Sequence, residues 1–265
     1  MTVCIAAAAE TEEGQRALVL CTDRRVGGAL GSAETGLKSR YITKGWRLLT
    51  SGDEHEIMAL DKLYTQRFRQ INATKPENLD ESMRWPVNER KRQLASEFIR
   101  ARFATSLEDF QQHAKQRLPD DIFHEAIRAI GDIRTEADVV MAGFSDEYSA
   151  EIYECCGDGK VRIHEDFAVI GEGALIATSS LLRRRQDYVT TLNDTLFNVF
   201  EAKRLSEAVG SVGRGTSLSV LYPDGTHKYV SSAARTELNV HYKKYGPQSY
   251  QSIQFEGEVF KEEDT

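Results

Sequence analysis

Three blocks of short apolar runs, joined by tight glycine-containing turns, alternate along this chain with two blocks of helical periodicity. That order leaves few folds open. The runs 2–9 (TVCIAAAA) and 17–23 (ALVLCTD) flank the polar stretch ETEEGQR and predict a β-hairpin buried on both faces. A second strand pair, Ser39–Ile42 and Trp46–Ser51, turns at Thr43-Lys44-Gly45 and stops at Gly52. From Asp53 the period becomes helical, with Ile57, Leu60, Leu63 and Tyr64 on one stripe. Residues 72–137 are polar and helix-rich: Leu94, Phe98 and Phe103 share a face, Thr105 and Glu108 read as a capping box, and Pro119-Asp120 starts a further helix. Strands return at 138–144, 149–155 and 160–170, with a hairpin turn at Asp158-Gly159. Gly171-Glu172-Gly173 opens a helix running to Arg185, and a second helix covers about 190–209. The last strands are 216–222 and 226–231, turning at Pro223-Asp224-Gly225. Hairpins separated by helices favour sheets packed together with helices outside.

Composition narrows the function. With 265 residues the chain can bury a substantial core, and its 40% apolar and 28% charged residues are those of a soluble globular protein. A net charge of -7 argues against nucleic acid. No apolar run approaches the roughly 20 residues of a membrane span, and the amino terminus does not read as a secretory signal. Cys4, Cys21, Cys155 and Cys156 form no CxxC pair and read as reduced, mostly buried thiols in a cytoplasm, one of the adjacent pair buried and the other exposed. The six histidines have no metal-ligand spacing, and no metal or organic cofactor is implied. Arg183-Arg184-Arg185 reads as a solvated helix face.

Thr2 carries the chemistry. Methionine aminopeptidases remove Met1 ahead of a small second residue, which exposes a free threonine amine two carbons from its own hydroxyl. An α-amine with a pKa of about 7.7–8.0 is a usable base near neutral pH. Thr2 leads directly into an apolar strand, so the terminus is held in a sheet. The next strand ends in Cys21-Thr22-Asp23-Arg24-Arg25, where the two arginines are expected to keep the carboxylate ionised. Lys38 and the Ser51-Gly52 turn follow. Cys4 shares the strand face of Thr2 and reads as core.

These elements resemble the proteasome β subunits and their bacterial relatives. The likeness runs through Thr2 with VCIAA, LVLCTDRRV, Lys38, WRLLTSGD, then VVMAGF, EIYEC, FAVIGEGA and SLSVLYPDG, and covers about residues 2–60 and 138–232. It implies an α+β fold, a four-layer αββα sandwich of the N-terminal-nucleophile (Ntn) hydrolase type, spanning 2–235 with a helical insertion at about 72–137. A C-terminal extension, 236–265, is expected to be disordered at its end. The resemblance assigns Thr2 as nucleophile, Lys38 as the group lowering its effective pKa and Asp23 as the residue positioning Lys38. Arg25 is a supporting charge, and backbone N–H groups near Gly52 are the oxyanion donors. Two departures stand out: Glu172 occupies the place of a serine in the glycine turn, and Ser211, in AVGSVGRG, is the stand-in for later ordering residues. Glu172 beside the amine is either an alternative base or a quencher. The implied activity is a threonine peptidase or amidohydrolase acting on a peptide or small amide; the alternative is a catalytically inactive proteasome-like subunit with an assembly role. Family members form stacked rings, so a homo-oligomer is expected, while an ATPase partner is not specified.

Overall fold

The computed structural model describes residues 2–28, 31–33, 38–70, 79–145 and 149–247. The expected disordered end of the chain lies outside the described residues, as does the start of the 72–137 block. The chain divides into two compact units, Met1–Val230 and Ser231–Thr265.

The first unit contains two five-stranded antiparallel sheets. Strands β1 (Cys4–Glu10) and β2 (Arg16–Asp23) form the expected hairpin, and both are buried along nearly their whole length. With β10 (Phe167–Ile170), β11 (Thr216–Leu221) and β12 (His227–Tyr229) they make one sheet, in the order β10-β1-β2-β11-β12. The other sheet is β5 (Ser39–Thr43), β6 (Trp46–Gly52), β7 (Ala137–Phe144), β8 (Ala150–Cys155) and β9 (Val161–His164), in that order. A small separate hairpin, β3 (Val26–Gly28) with β4 (Gly31–Ala33), was not foreseen.

Strand alternation sorts the side chains between layers. Even-numbered residues of β1 (Cys4, Ala6, Ala8) and β2 (Leu18, Leu20) meet Leu49, Val140, Ala142 and Ile152 of the other sheet in a shared core. The small alanines let the two sheets approach closely. The opposite face of the second sheet (Trp46, Leu48, Val139, Met141, Tyr153) is covered by α1 (Glu54–Gln70) and the first half of α2 (Leu79–Phe103), through Leu60, Tyr64, Phe68, Met83 and Val87. Helices α5 (Ala174–Arg183) and α6 (Leu192–Ser206) pack on β10, β1 and β2 on the far side. The architecture is the four-layer αββα sandwich.

The second half of α2 carries α3 (Leu107–Arg117) and α4 (Asp120–Gly131) around a core of their own, built from Ala95, Ile99, Leu107, Phe110, Ala114 and Ala126. The α3 cap falls one residue later than expected: Ser106 accepts from Asp109 N at 3.1 Å, while Thr105 instead donates to the Asp109 carboxylate. The single strand expected over 160–170 is two strands in different sheets. The chain crosses from one sheet to the other at Glu165-Asp166, and periodicity alone cannot register such a change of partner. Arg183 and Arg184 are not merely solvated; both bond the fully buried Glu201 carboxylate. Cys155 is buried and Cys156 half-buried, and all four cysteines are free.

The described residues of the second unit form a helix, α7 (Ser232–Tyr245), where only a polar tail was expected. Ser231 caps it by accepting from Ala234 N at 3.2 Å. Among the described residues no helix is long and apolar enough to cross a membrane.

Candidate active site

Thr2, Asp23 and Lys38 come together at the end of the β1–β2 hairpin. Val3 N donates to Asp23 Oδ1 at 3.1 Å, and Asp23 N donates to the Val3 carbonyl at 3.2 Å. The amino-terminal strand is thus tied to β2 at the residue before its first ladder pair. Thr2 Oγ1 donates to Asp23 Oδ1, Lys38 Nζ donates to Thr2 Oγ1, and Lys38 Nζ reaches the same carboxylate oxygen at 2.8 Å. Asp23 is 0% exposed and Thr2 1% exposed in the full-length chain.

A buried carboxylate is costly unless its lone pairs are filled. The other oxygen, Asp23 Oδ2, accepts from Arg25 N at 3.2 Å and Gly213 N at 3.0 Å. The arginines expected to neutralise Asp23 form no ion pair with it. Arg25 contributes its backbone N–H and sends its guanidinium to the Gly210 carbonyl at 2.6 Å. The counter-ion is Lys38. At 2.8 Å the pair attracts by about 6 kcal/mol for an effective dielectric of about 20. Desolvation costs several kcal/mol per ion, so the pair contributes placement more than net stability.

The glycine turn holds Thr2 from the other side. Gly173 N donates to the Thr2 carbonyl at 3.3 Å. Gly171 has φ +97°, and a methyl group there would collide with the Thr2 carbonyl oxygen and lie 2.9 Å from Ser51 Oγ. Only glycine fits. Gly52, with φ +128°, ends β6 against the Glu136 carbonyl. Glu172, in the middle of the glycine turn, accepts a hydrogen bond from Ser211 Oγ.

Cys4 is a poor competitor as nucleophile. Burial pushes its thiol up to about 12, and its Sγ donates to the Thr50 carbonyl at 3.4 Å. A thiol held so high supplies almost no thiolate at neutral pH. Among the described residues no group of three His, Cys, Asp or Glu side chains is placed to hold a metal ion.

Two contributors were not legible in the sequence, the Gly213 N–H and the Val3 N–H, and Ser51 stood out only as part of its turn. The AVGSVGRG stretch drew attention only for its serine, although its glycines signal close backbone approach. Ser51 follows Leu49 at strand spacing, and that parity would have turned it toward the inter-sheet face.

The four-layer αββα sandwich defines the fold class, and solved structures share it. The chain is similar to Anbu, a Gly-1 mutant from Hyphomicrobium sp. strain MC1, with a TM-score of 0.60 and 16% identity, covering 92% of this chain and 96% of that one. It is also similar to the eukaryotic HslV from Trypanosoma brucei, with a TM-score of 0.52 and 15% identity, covering 83% and 99%. At such identities the likeness establishes the fold. No protein-family model matches the sequence, and no curated protein matches it.

Proposed function

We propose that the chain is a threonine-type Ntn hydrolase that cleaves peptide or other amide bonds with Thr2, exposed once Met1 is removed. The observation that carries this reading is the convergence of Lys38 Nζ and Asp23 Oδ1 on the Thr2 hydroxyl. The Lys38 ammonium favours the alkoxide that forms as Thr2 attacks, and Asp23 fixes Lys38 at 2.8 Å. The freed α-amine takes the hydroxyl proton and passes it to the leaving amine. An ester on Thr2 results, and water activated by the same amine releases the acid. Backbone N–H groups at Gly52 stabilise the oxyanion. Arg25 and Ser211 support the Gly210–Gly213 loop. Glu172, beside the turn that holds Thr2, acts on the amine.

The test combines intact mass with a covalent probe. Loss of Met1, one-to-one labelling of Thr2 by an epoxyketone or β-lactone, and no labelling of Thr2→Ala are expected. Retained Met1 with no labelling sinks the enzyme and leaves the silent assembly subunit, to which the substitution of Glu172 into the glycine turn lends weight. The fold likeness supports a homo-oligomer, and four free cysteines support a reducing cytoplasm.

A further inference from the structure

Beside the anchored Thr2, where β6 ends and β7 begins, lies an open cavity of about 430 Å3. Gly171 joins the two: the atoms nearest it are the Thr2 carbonyl and Ser51 Oγ, and Gly171 and Ser51 both line the cavity. Glu136, Asp138 and Glu172 also line it, with no lysine, arginine or histidine in the wall.

Acidic side chains gathered on a surface are commonplace; these three share one cavity whose wall carries no positive side chain. None of the three forms an ion pair among the described residues. Asp138 Oδ1 accepts only a backbone N–H, that of Gly157 at 3.2 Å, and Glu172 accepts the Ser211 hydroxyl. Burial, with the Glu154 and Asp158 carboxylates adding, pushes the Asp138 carboxyl above the usual carboxylate range, despite the Gly157 N–H and the Arg162 charge that act the other way. A second observation is independent of charge. Ser51 is only 7% exposed, lines the cavity, and its hydroxyl forms no hydrogen bond among the described residues. A serine so nearly buried, at the wall of an open cavity and with its hydroxyl bonded to no described protein group, is placed to bond a ligand instead.

A metal ion does not suit the site, because the three carboxylates are not grouped closely enough to ligate one. A larger organic cation does. We propose that this cavity binds the guanidinium or ammonium side chain of a substrate residue flanking the amide that Thr2 attacks. The placement beside the scissile bond rests on the Thr2 reading; the preference for a cation does not. Arginine fits best, since its planar fork of five donors reaches carboxylates on separate segments.

The test is equilibrium binding to the full-length Thr2→Ala protein, which cannot form the acyl ester. The probes are Nα-benzoyl-argininamide and its neutral isostere Nα-benzoyl-citrullinamide, with a benzoyl-glycyl pair placing the same side chain one residue further on. At least about ten-fold tighter binding of an arginine probe than of its citrulline partner is expected. Asp138→Asn and Glu172→Gln keep the acceptors used by Gly157 and Ser211, and each should pull that ratio toward unity. Equal binding of both members of both pairs overturns the proposal, as does a preference that survives both substitutions. Failure of electrophile labelling in the wild-type chain would remove the Thr2 assignment and leave this ratio fully readable.

Discussion

Lys38 Nζ lies 2.8 Å from Asp23 Oδ1, and the same carboxylate oxygen accepts the Thr2 hydroxyl. Three residues separated by long stretches of sequence thus share one oxygen atom. Val3 N–H crowds onto that oxygen as well, and the backbone N–H groups of Arg25 and Gly213 fill the other one. A carboxylate so fully bonded has little freedom to turn, and its fixed position sets that of the other two.

Asp23→Asn leaves the shape of the site but deprives Lys38, whose side chain is 13% exposed, of its counter-charge. Breaking a buried pair on one side costs about 3–5 kcal/mol. Urea denaturation should show a loss toward the lower end of that range, because Lys38 retains some water. Epoxyketone labelling of Thr2 should slow by at least about 100-fold. Unchanged labelling would detach Asp23 from the reactivity of Thr2.

Gly171→Ala tests the close approach of the turn to Thr2. The new methyl meets backbone, not a side-chain tip that can swing away, and the φ of +97° is itself unfavourable for alanine. A penalty of at least about 2 kcal/mol is expected, with Thr2 labelling falling in parallel. Gly45→Ala is the control: its φ of +78° is similar, yet a methyl there meets nothing within 4 Å. It should cost less and leave labelling intact.

Lys203 reaches the site through one loop. It is 0% exposed and donates to Glu207 at 2.5 Å and to the Arg214 carbonyl at 2.8 Å. The preceding residue, Gly213, supplies the N–H on Asp23. Lys203→Met keeps the stem's packing and removes the ammonium, leaving the Arg214 carbonyl without this donor and Glu207 with Arg204. A loss of about 1–2 kcal/mol is expected. As a positioning residue, Lys203 should also shift the pH midpoint of Thr2 labelling, which a purely structural role would not do. An unmoved midpoint would confine it to stability.

His227 gives the fold a pH dependence. Burial, with the Arg47 guanidinium adding, holds its imidazole down at about 4. The unfolded chain, with a histidine pKa of about 6.5, takes up the proton first as pH falls. The contribution of neutral His227 is therefore complete above about pH 6.5 and is lost as pH drops toward 4. Urea midpoints measured from pH 7 to pH 4 should fall more steeply for the wild type than for His227→Gln. Parallel curves would exclude His227 as the source.

The amino-acid sequence by itself determined the strand and helix blocks, the buried β1–β2 hairpin and the layered class, because apolar period and turn glycines act locally. It also singled out Thr2, Asp23 and Lys38. It could not tell that residues 161–164 and 167–170 belong to different sheets, nor that the polar tail begins as a helix. Only the tertiary structure decided how Asp23 is satisfied: the adjacent arginines send it no guanidinium, and a backbone N–H 190 positions away donates to it. The physical reason is that a buried charge is compensated by whatever donors packing brings within hydrogen-bond reach, and that choice is made between layers, where sequence distance carries no information.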